Sequence, residues 1–466
     1  MNDSQLHDNL SISSAVESPI KVFLTGATGV MGSAGLKFLT AEPGKYAVTV
    51  LARDSKRNRR KLLPFQEKGV KVIWGDLTNP ADVEKGVRDA EIVLHVGGMV
   101  SPAADWYPEK TIEVNVSAMK NIVDAIRKIT KENPAAQEPK VVYIGSVSQY
   151  GNKSIPNHWG EVGDPLFPAK YDAYAYSKIE AERILAESGI KRWVSLRQTG
   201  ILHPGLLMKA SDPIAFHVPI RGVLEWVTAE DSGRLLERVC HRDVPEDFWC
   251  DFYNIGGGES YRMTNYEFEC KILKAIGCPP PEKVFKPSWF ATQNFHGMWY
   301  RDSDRLEDIL HFRIGETADE YFSRMVKDLP FYFKLTPLAP PFIIRSVMKR
   351  VANTPKLGTL WWLRNNDEPR INAAFGSREE WQKIGSWDTL DLTVPPKASQ
   401  KTTHSKDIPA GSKVFDNITL LGEYTGNDNE LLPWKCNKGH NFTASMHLIY
   451  RGGHRCPHCV RSEALL

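Results

Sequence analysis

Residues 21–32 read Lys-Val-Phe-Leu-Thr-Gly-Ala-Thr-Gly-Val-Met-Gly, and this stretch decides the fold. Lys21–Thr25 is a short apolar run of the kind that forms a strand buried on both faces. Gly26, Thr28, Gly29, Val30, Met31 and Gly32 turn the chain and open a run, Val30–Leu39, with helical spacing. Small residues at such a turn let the backbone approach a pyrophosphate. The free N–H groups and positive dipole end of the helix start favour its charge. A glycine pattern alone fits any tight strand–helix turn. The strand before it and the helix after it make this one a dinucleotide-binding loop.

The same rhythm extends outward. Short β-branched or apolar runs at Ala47–Leu51, Val70–Trp74, Ile92–Val96, Lys140–Ile144 and Arg192–Leu196 read as strands, with a later one at Phe252–Ile255. Ile112–Ile129 and Tyr174–Ser188 have helical spacing. Strands alternating with helices predict an α/β fold of the Rossmann type, a doubly wound parallel sheet covered on both faces, with a smaller substrate lobe.

At 466 residues, 42% hydrophobic and 25% charged, the chain has the composition of a globular protein of two or three domains. A net charge of +3 gives no global reason for a polyanionic partner. Residues 1–18 are polar, lack the pattern of a secretory signal and read as a disordered tail. No apolar run is long enough to span a bilayer, so a cytoplasmic location is expected. The dinucleotide domain and its lobe are expected over 19–335, a helical extension and linker over 336–412, and a compact module over 413–466. Cys240, Cys250, Cys270 and Cys278 are scattered and read as buried small hydrophobes rather than a disulfide framework.

The second strand ends Leu51-Ala52-Arg53-Asp54, and Lys56, Arg57, Arg59 and Arg60 follow. A cation at this strand end, Arg53 first, suits the 2′-phosphate of NADP(H), whereas Asp54 keeps NAD(H) open. Asp76-Leu77 closes the third strand. A carboxylate there can accept from an adenine amino group or simply start a helix.

Tyr174 and Lys178 stand four apart, on one face of a helix. A phenol is too weak an acid for proton transfer at neutral pH until a neighbouring ammonium and a cationic nicotinamide lower its pKa. It can then exchange a proton with a substrate oxygen while hydride moves. Tyr171 and Tyr176 are rival phenols, but neither has a lysine four residues on. Ser146 ends a parallel strand, where such sheets bind ligands, and can hydrogen-bond the reacting oxygen.

The ordered set TGATGVMG, Asp76-Leu77, His95-Val96-Gly97-Gly98, Asn115-Val116, Ser146-Val-Ser-Gln-Tyr-Gly and Tyr174-x-x-x-Lys178 resembles the extended short-chain dehydrogenase/reductases. That superfamily includes nucleotide-sugar epimerases and dehydratases and 3β-hydroxysteroid dehydrogenases. The resemblance covers roughly residues 20–330. It implies Ser146 as the substrate-polarising donor, Tyr174 as general acid/base, and Lys178 as the holder of the nicotinamide ribose. It also implies Val96, Gly97, Asn115 and Ile201 in the cofactor site, and Ser148, Tyr150 and His203 at the substrate. Gln198 stands where the superfamily usually has proline. The stretch Arg-Gln-Thr-Gly-Ile-Leu-His-Pro-Gly at 197–205 is closer to the hydroxysteroid style. It implies an NAD(P)-dependent oxidoreductase of a secondary alcohol or ketone with an apolar, steroid-like substrate. A nucleotide-sugar epimerase or dehydratase with bound NAD is the alternative. A non-catalytic cofactor sensor associated with nucleic acid is the third reading.

Two segments remain. Ile343, Ile344, Val347 and Val351 form an apolar stripe with Arg345, Lys349 and Arg350 beside it. It fits packing on its own domain, or a lid over an apolar pocket, better than a membrane surface. Cys436, His440, Cys456 and Cys459 are spaced C-x3-H-x15-C-x2-C. Three thiolates and an imidazole satisfy tetrahedral Zn²⁺ with no open position, which marks a structural site. His447, His454 and His458 are alternative ligands. The wording resembles a treble-clef, zinc-ribbon-like domain. Lys435, Lys438, Arg451 and Arg455 add positive charge there, so contact with nucleic acid or with a protein is open. A homodimer is equally open, because nothing in the sequence specifies the oligomeric state.

Overall fold

The computed structural model describes residues 18–208, 212–330, 336–399, 414–415 and 417–465. Most of the expected N-terminal tail and of the linker before the terminal module lies outside these residues. Seven strands form one sheet: β1 (Ile20–Thr25), β2 (Tyr46–Ala52), β3 (Lys71–Trp74), β4 (Ile92–His95), β5 (Lys140–Ser146), β6 (Trp193–Gln198) and β7 (Asp251–Ile255). Their spatial order is β3-β2-β1-β4-β5-β6-β7, and every neighbouring pair is parallel. The fold is the Rossmann-type α/β sheet expected. The order changes direction between β1 and β4, which opens a crevice at the C-terminal ends of those two strands.

The strands are apolar because both faces are covered. Along β1, Val22 and Leu24 enter one core cluster and Phe23 the other. Helices α1 (Val30–Leu39) and α2 (Lys56–Gln66) cover the first face. Helices α3 (Pro80–Val87), α4 (Pro108–Glu132) and α5 (Ala173–Ala186) cover the second. Helix α4 starts before the Ile112 expected, at Pro108, where a proline costs no intrahelical hydrogen bond. Of the four scattered cysteines only Cys240 is buried; Cys250, Cys270 and Cys278 are half-buried.

The smaller lobe holds an antiparallel pair, Val223–Glu225 with Arg262–Thr264. Helix α6 (Asn265–Ala275) follows, started by a capping box between Thr264 and Glu267. The segment after residue 335 wraps this lobe. Val351 and Ala352 of helix α7 (Pro341–Ala352) join the cluster of Phe216, Phe285 and Trp289. Trp362, Ile371 and Phe375, from helices α8 (Thr359–Arg364) and α9 (Glu368–Phe375), pack with Ala291. Of the expected stripe on α7, Ile344 faces inward while Ile343 and Val347 are exposed, as is Phe342.

The terminal segment forms a four-stranded antiparallel sheet: β8 (Val414–Phe415), β9 (Ile418–Leu420), β10 (Leu431–Cys436) and β11 (Asn441–Ser445). Helices α10 (Met446–Tyr450) and α11 (Pro457–Leu465) follow. This module does not stand off from the main sheet. Ile418, Trp434 and Leu448 share one continuous core cluster with Phe23, Ala181 and Trp193. Among the described residues, no helix is long and apolar enough to cross a membrane.

Candidate active site and metal centre

The loop between β1 and α1 leaves almost no room for side chains. Gly26 adopts φ +75°, and a Cβ there would lie 2.7 Å from the Gly97 nitrogen. A Cβ on Gly32 would lie 2.2 Å from the Gly26 carbonyl oxygen. The loop therefore packs backbone against backbone, and Val30 and Met31 begin the helix behind it. Gly97 is held by its own N–H, which donates to Thr25 Oγ1 at 3.0 Å. Val96 packs at the edge of the core beside it. The Thr28 carbonyl accepts from Lys61 Nζ at 2.7 Å. The loop has N–H groups at a helix start and no Cβ in the way, a geometry that could hold a pyrophosphate.

At the end of β2, Arg53 is exposed, while Asp54 is held by a two-pronged pair with Arg59, both contacts at 2.6 Å. Arg59 in turn lies over the Trp74 ring at 4.7 Å. Asp76 is turned onto Thr78, accepting from its N–H at 2.9 Å and its hydroxyl at 2.8 Å. Those bonds, together with the Arg53 charge, outweigh partial burial and hold its carboxyl below the usual range. The Leu77 carbonyl accepts from Asn121 at 2.8 Å.

Ser146, Tyr174 and Lys178 come together at the end of β5. The Tyr174 phenol lies near Ser146. Lys178 Nζ donates to the Ile144 carbonyl at 2.8 Å and lies 5.8 Å from the centre of the Tyr174 ring. Helix α5 is started by Asp172, whose carboxylate accepts from the Ala175 N–H at 2.8 Å. Asn115 is a brace: it accepts from the Met99 N–H at 2.7 Å and donates to the Met99 carbonyl and to Ser177 Oγ. It thereby ties the loop after β4 to α5. Burial lowers the Lys178 ammonium to about 8 and raises the Tyr174 phenol to about 12, the nearby Ser146 hydroxyl pulling the latter back. Desolvation is the largest cause of both shifts. Ile201 lies half-buried where its strand pairs with Val227.

None of the three expected substrate contacts lines the cavities described below. Ser148 is fully buried, and its hydroxyl donates to Ser146 Oγ at 2.9 Å, so it orients the serine beneath it. Tyr150 is a core residue, its hydroxyl shared between Asn254 at 2.9 Å and Arg197 at 2.7 Å. His203 is half-buried beside Gly205 and does not line the large cavity described next.

That cavity, of about 750 Å³, lies between the sheet ends and the lobe. Its wall is largely apolar, with Trp226 stacked on Phe268 at 4.5 Å and with Ile272, Phe290, Ile344 and Met348. A smaller pocket of about 80 Å³ adjoins it and is lined by Tyr174, Asp105, Tyr171 and Arg370. Ser101, Ile214, Phe295 and His296 wall both spaces.

Residues 22–197 match the model of the NAD dependent epimerase/dehydratase family. This stretch is a domain of that family. Relatives of the epimerase-family domain include short-chain dehydrogenase/reductase family 42E member 1 of Macaca fascicularis, 28% identical over 45% of this chain and 57% of its own length. The 2-alkyl-3-oxoalkanoate reductase of Shewanella oneidensis is 28% identical over 41% of this chain and 46% of its own. The chain thus spans about half the length of these two. The 3 beta-hydroxysteroid dehydrogenase type 7 of Rattus norvegicus is 25% identical over 57% of this chain and 75% of its own length. Among solved structures, the dTDP-glucose 4,6-dehydratase of Bacillus anthracis with NAD superposes with a TM-score of 0.51 at 15% identity, covering 66% of this chain and 96% of that one. The UDP-glucose 4-epimerase of Bifidobacterium longum with NAD+ and UDP gives 0.51 at 17%, covering 68% and 98%. At such identities the likeness is one of fold.

Against the epimerase-family domain sits the candidate metal centre. Ligand atoms of Cys436, His440, Cys456 and Cys459 all lie within 4.8 Å of one another. Cys436 and Cys459 Sγ are 3.8 Å apart, and His440 Nδ1 lies 3.4–3.7 Å from the three sulfurs. A tetrahedral zinc with bonds of about 2.3 Å to sulfur and 2.0–2.1 Å to nitrogen spaces its ligands by roughly these distances. The donor set fits zinc, and four protein ligands leave no open position. The alternative ligands lie elsewhere. His447 stacks on Phe252, His454 Nε2 bonds Glu182 at 2.8 Å, and His458 rests beside His440. The basic patch also shrinks, since Arg451 and Arg455 are buried and only Lys435 and Lys438 remain exposed.

Two groups escaped the sequence reading. Glu182 on α5 pairs with Arg197 of β6 at 2.7 Å and with His454, all fully or nearly fully buried. A glutamate two residues after another on a helix, as in Glu180-Ala181-Glu182, normally reads as solvent-facing, and only the paired cations mark it otherwise. Glu269 lies on the buried face of α6. Its signal was an acid at i+4 from Asn265 and i−3 from Ile272, inside an apolar stripe.

Proposed function

We propose that the protein is an NADP(H)-dependent oxidoreductase that interconverts a secondary alcohol and a ketone on an apolar skeleton. The observation that carries this reading is the apolar cavity of about 750 Å³ adjoining the pocket that Tyr174 lines. Its size lies within the usual range for small-molecule sites, and its aromatic and aliphatic wall suits a hydrocarbon frame. A nucleotide-sugar substrate would need cations for its phosphates, and the wall is poor in them. The printed names of relatives, an oxoalkanoate reductase and a hydroxysteroid dehydrogenase, point the same way.

The glycine cradle and the loop after β4 fit a dinucleotide, which supplies or accepts the hydride. Arg53 would face the adenosine ribose, and Asp54 is already engaged by Arg59, which favours a 2′-phosphate over a bare diol. The rest of the chemistry belongs to the chain. In reduction, Tyr174 Oη donates its proton to the carbonyl oxygen, and Ser146 holds that oxygen through a second hydrogen bond. In oxidation, the proton returns from the alcohol to Tyr174. Lys178 supplies positive charge at the base of the site, and its bond to the Ile144 carbonyl fixes it there. Stabilising the developing oxyanion in a water-poor pocket is worth far more than in bulk water.

The test is Tyr174→Phe, assayed on medium-chain ketones with NADPH while binding is followed by NADPH fluorescence. Turnover is expected to fall by about 10³-fold or more, a loss of general acid and hydrogen bond together, with NADPH affinity unchanged. Retained turnover would overturn the assignment. NADH binding as tightly as NADPH would overturn the cofactor choice, and NAD found tightly bound to the purified protein would favour epimerase or dehydratase chemistry.

A further inference from the structure

The large cavity contains one group that its apolar wall does not explain. Glu269 sits on the inner face of α6, is only 9% exposed, and lines the cavity among Phe268, Ile272, Leu273 and Ile276. Among the described residues its carboxylate has no hydrogen-bond or ion-pair partner. Burying an unpaired carboxyl costs several kcal/mol, and natural cores rarely retain one without a partner. The cavity's other charged groups are engaged elsewhere: Lys153 with Asp164, Arg221 with Asp391, His296 near Asp172, and Asp212, which accepts from the Ile214 N–H at 3.1 Å. Tyr174 lines only the small pocket and Glu269 only the large cavity, with Ser101, Ile214, Phe295 and His296 between them. A molecule that reaches both groups spans the two adjoining spaces.

Resting on the oxidoreductase reading above, we propose that the substrate is an elongated apolar ketone or alcohol carrying a second hydroxyl group remote from the reacting carbon, and that Glu269 is the residue that recognises this hydroxyl. A hydroxyl both donates and accepts, so it can pair with the carboxyl in either protonation state. Burial alone raises this carboxyl to about 7, so both states are populated near neutral pH. The apolar wall selects the chain between the two ends, and Glu269 selects against molecules that end in hydrocarbon. Such molecules leave the carboxyl buried and unpaired, which gives a larger discrimination than an extra methylene can.

The experiment compares straight-chain methyl ketones of eight to fourteen carbons with the same ketones bearing a terminal hydroxyl. Both kcat/KM and calorimetric Kd in the presence of NADPH are measured, for the wild type, Glu269→Gln and Glu269→Leu. At the best-fitting length the wild type is expected to prefer the hydroxylated ketone by about tenfold or more, the worth of one hydrogen bond to a charged or polar partner. Glu269→Gln retains part of the preference, and Glu269→Leu loses or inverts it while its NADPH affinity holds and its thermal midpoint does not fall. No preference at any length, or a preference that survives Glu269→Leu, overturns the assignment. If neither series turns over but Kd still shows a Glu269-dependent preference, the recognition stands and the oxidoreductase reading falls.

Discussion

The Glu269 carboxyl couples substrate recognition to acid–base stability. Its ordinary value is 4.5, and burial lifts it to about 7. Between those values the folded protein holds a proton that the unfolded chain releases. Stability therefore falls as pH rises through this window and is flat on either side of it. The full shift corresponds to on the order of 3 kcal/mol. Denaturant unfolding at pH 5 and pH 8 is expected to show this decline in the wild type, and Glu269→Gln should abolish most of it. A decline of the same size in the variant would mean that another group titrates. The glycine loop could be read ahead of the structure because its demand is local: Gly26 and Gly32 must lack Cβ atoms wherever the rest of the chain goes. Tyr174 and Lys178 were legible for the same reason, being one helical turn apart. Glu269 was not, because the cavity it lines is completed by Ile344 and Met348, which arrive some 75 residues later in the chain. Tyr150 misled in the other direction. Its place in a motif suggested a substrate contact, but Arg197 and Asn254 claim its hydroxyl.

At the scale of elements, α5 is constrained on more than one face. One face holds Tyr174 and Lys178. Asn115 of α4 grips Ser177, and Glu182 closes a buried cluster with Arg197, Ser195 and His454. The Arg197 charge holds the Glu182 carboxyl well below the usual carboxylate range despite complete burial. Glu182→Gln leaves the Arg197 guanidinium buried without its counter-charge, and breaking such a pair on one side costs about 3–5 kcal/mol. A shift of that size in the denaturant midpoint, with an unchanged m-value, is the expected readout. A change below 1 kcal/mol would mean that water reaches the cluster. The helix itself was visible in the sequence, but its far face was not. His454 stands two residues from Cys456 and so resembled a metal ligand, whereas the structure turns it away from the thiolates and towards Glu182.

For the whole molecule, the metal centre and the proposed chemistry share one core. Cys436, Cys456 and Cys459 belong to the cluster that includes Ala181 and Leu185 of α5 and Trp193 of β6. Arg451 pairs with Asp251 of β7 at 2.8 Å, and Arg197 donates to the Gly452 carbonyl at 2.6 Å. Stripping the metal with a strong chelator is therefore expected to lower the thermal midpoint by on the order of 10 °C, because metal binding in such sites is folding energy. Turnover should fall in step, and zinc should restore both. Turnover unaffected by complete metal loss would separate the module from the active site. The spacing of the four ligands was plain in the sequence, but the docking of their module was not, since no local pattern encodes a contact between residues 182 and 454. That contact also orders events during synthesis. Glu182 and Arg197 leave the ribosome while their last partners, 272 and 255 positions downstream, are still untranslated. Until Gly452 and His454 emerge, the nascent sheet carries an open, charged seam that no water-free core tolerates. A chain cut before residue 452 keeps its glycine loop yet displays the Glu182–Arg197 seam to chaperones and proteases.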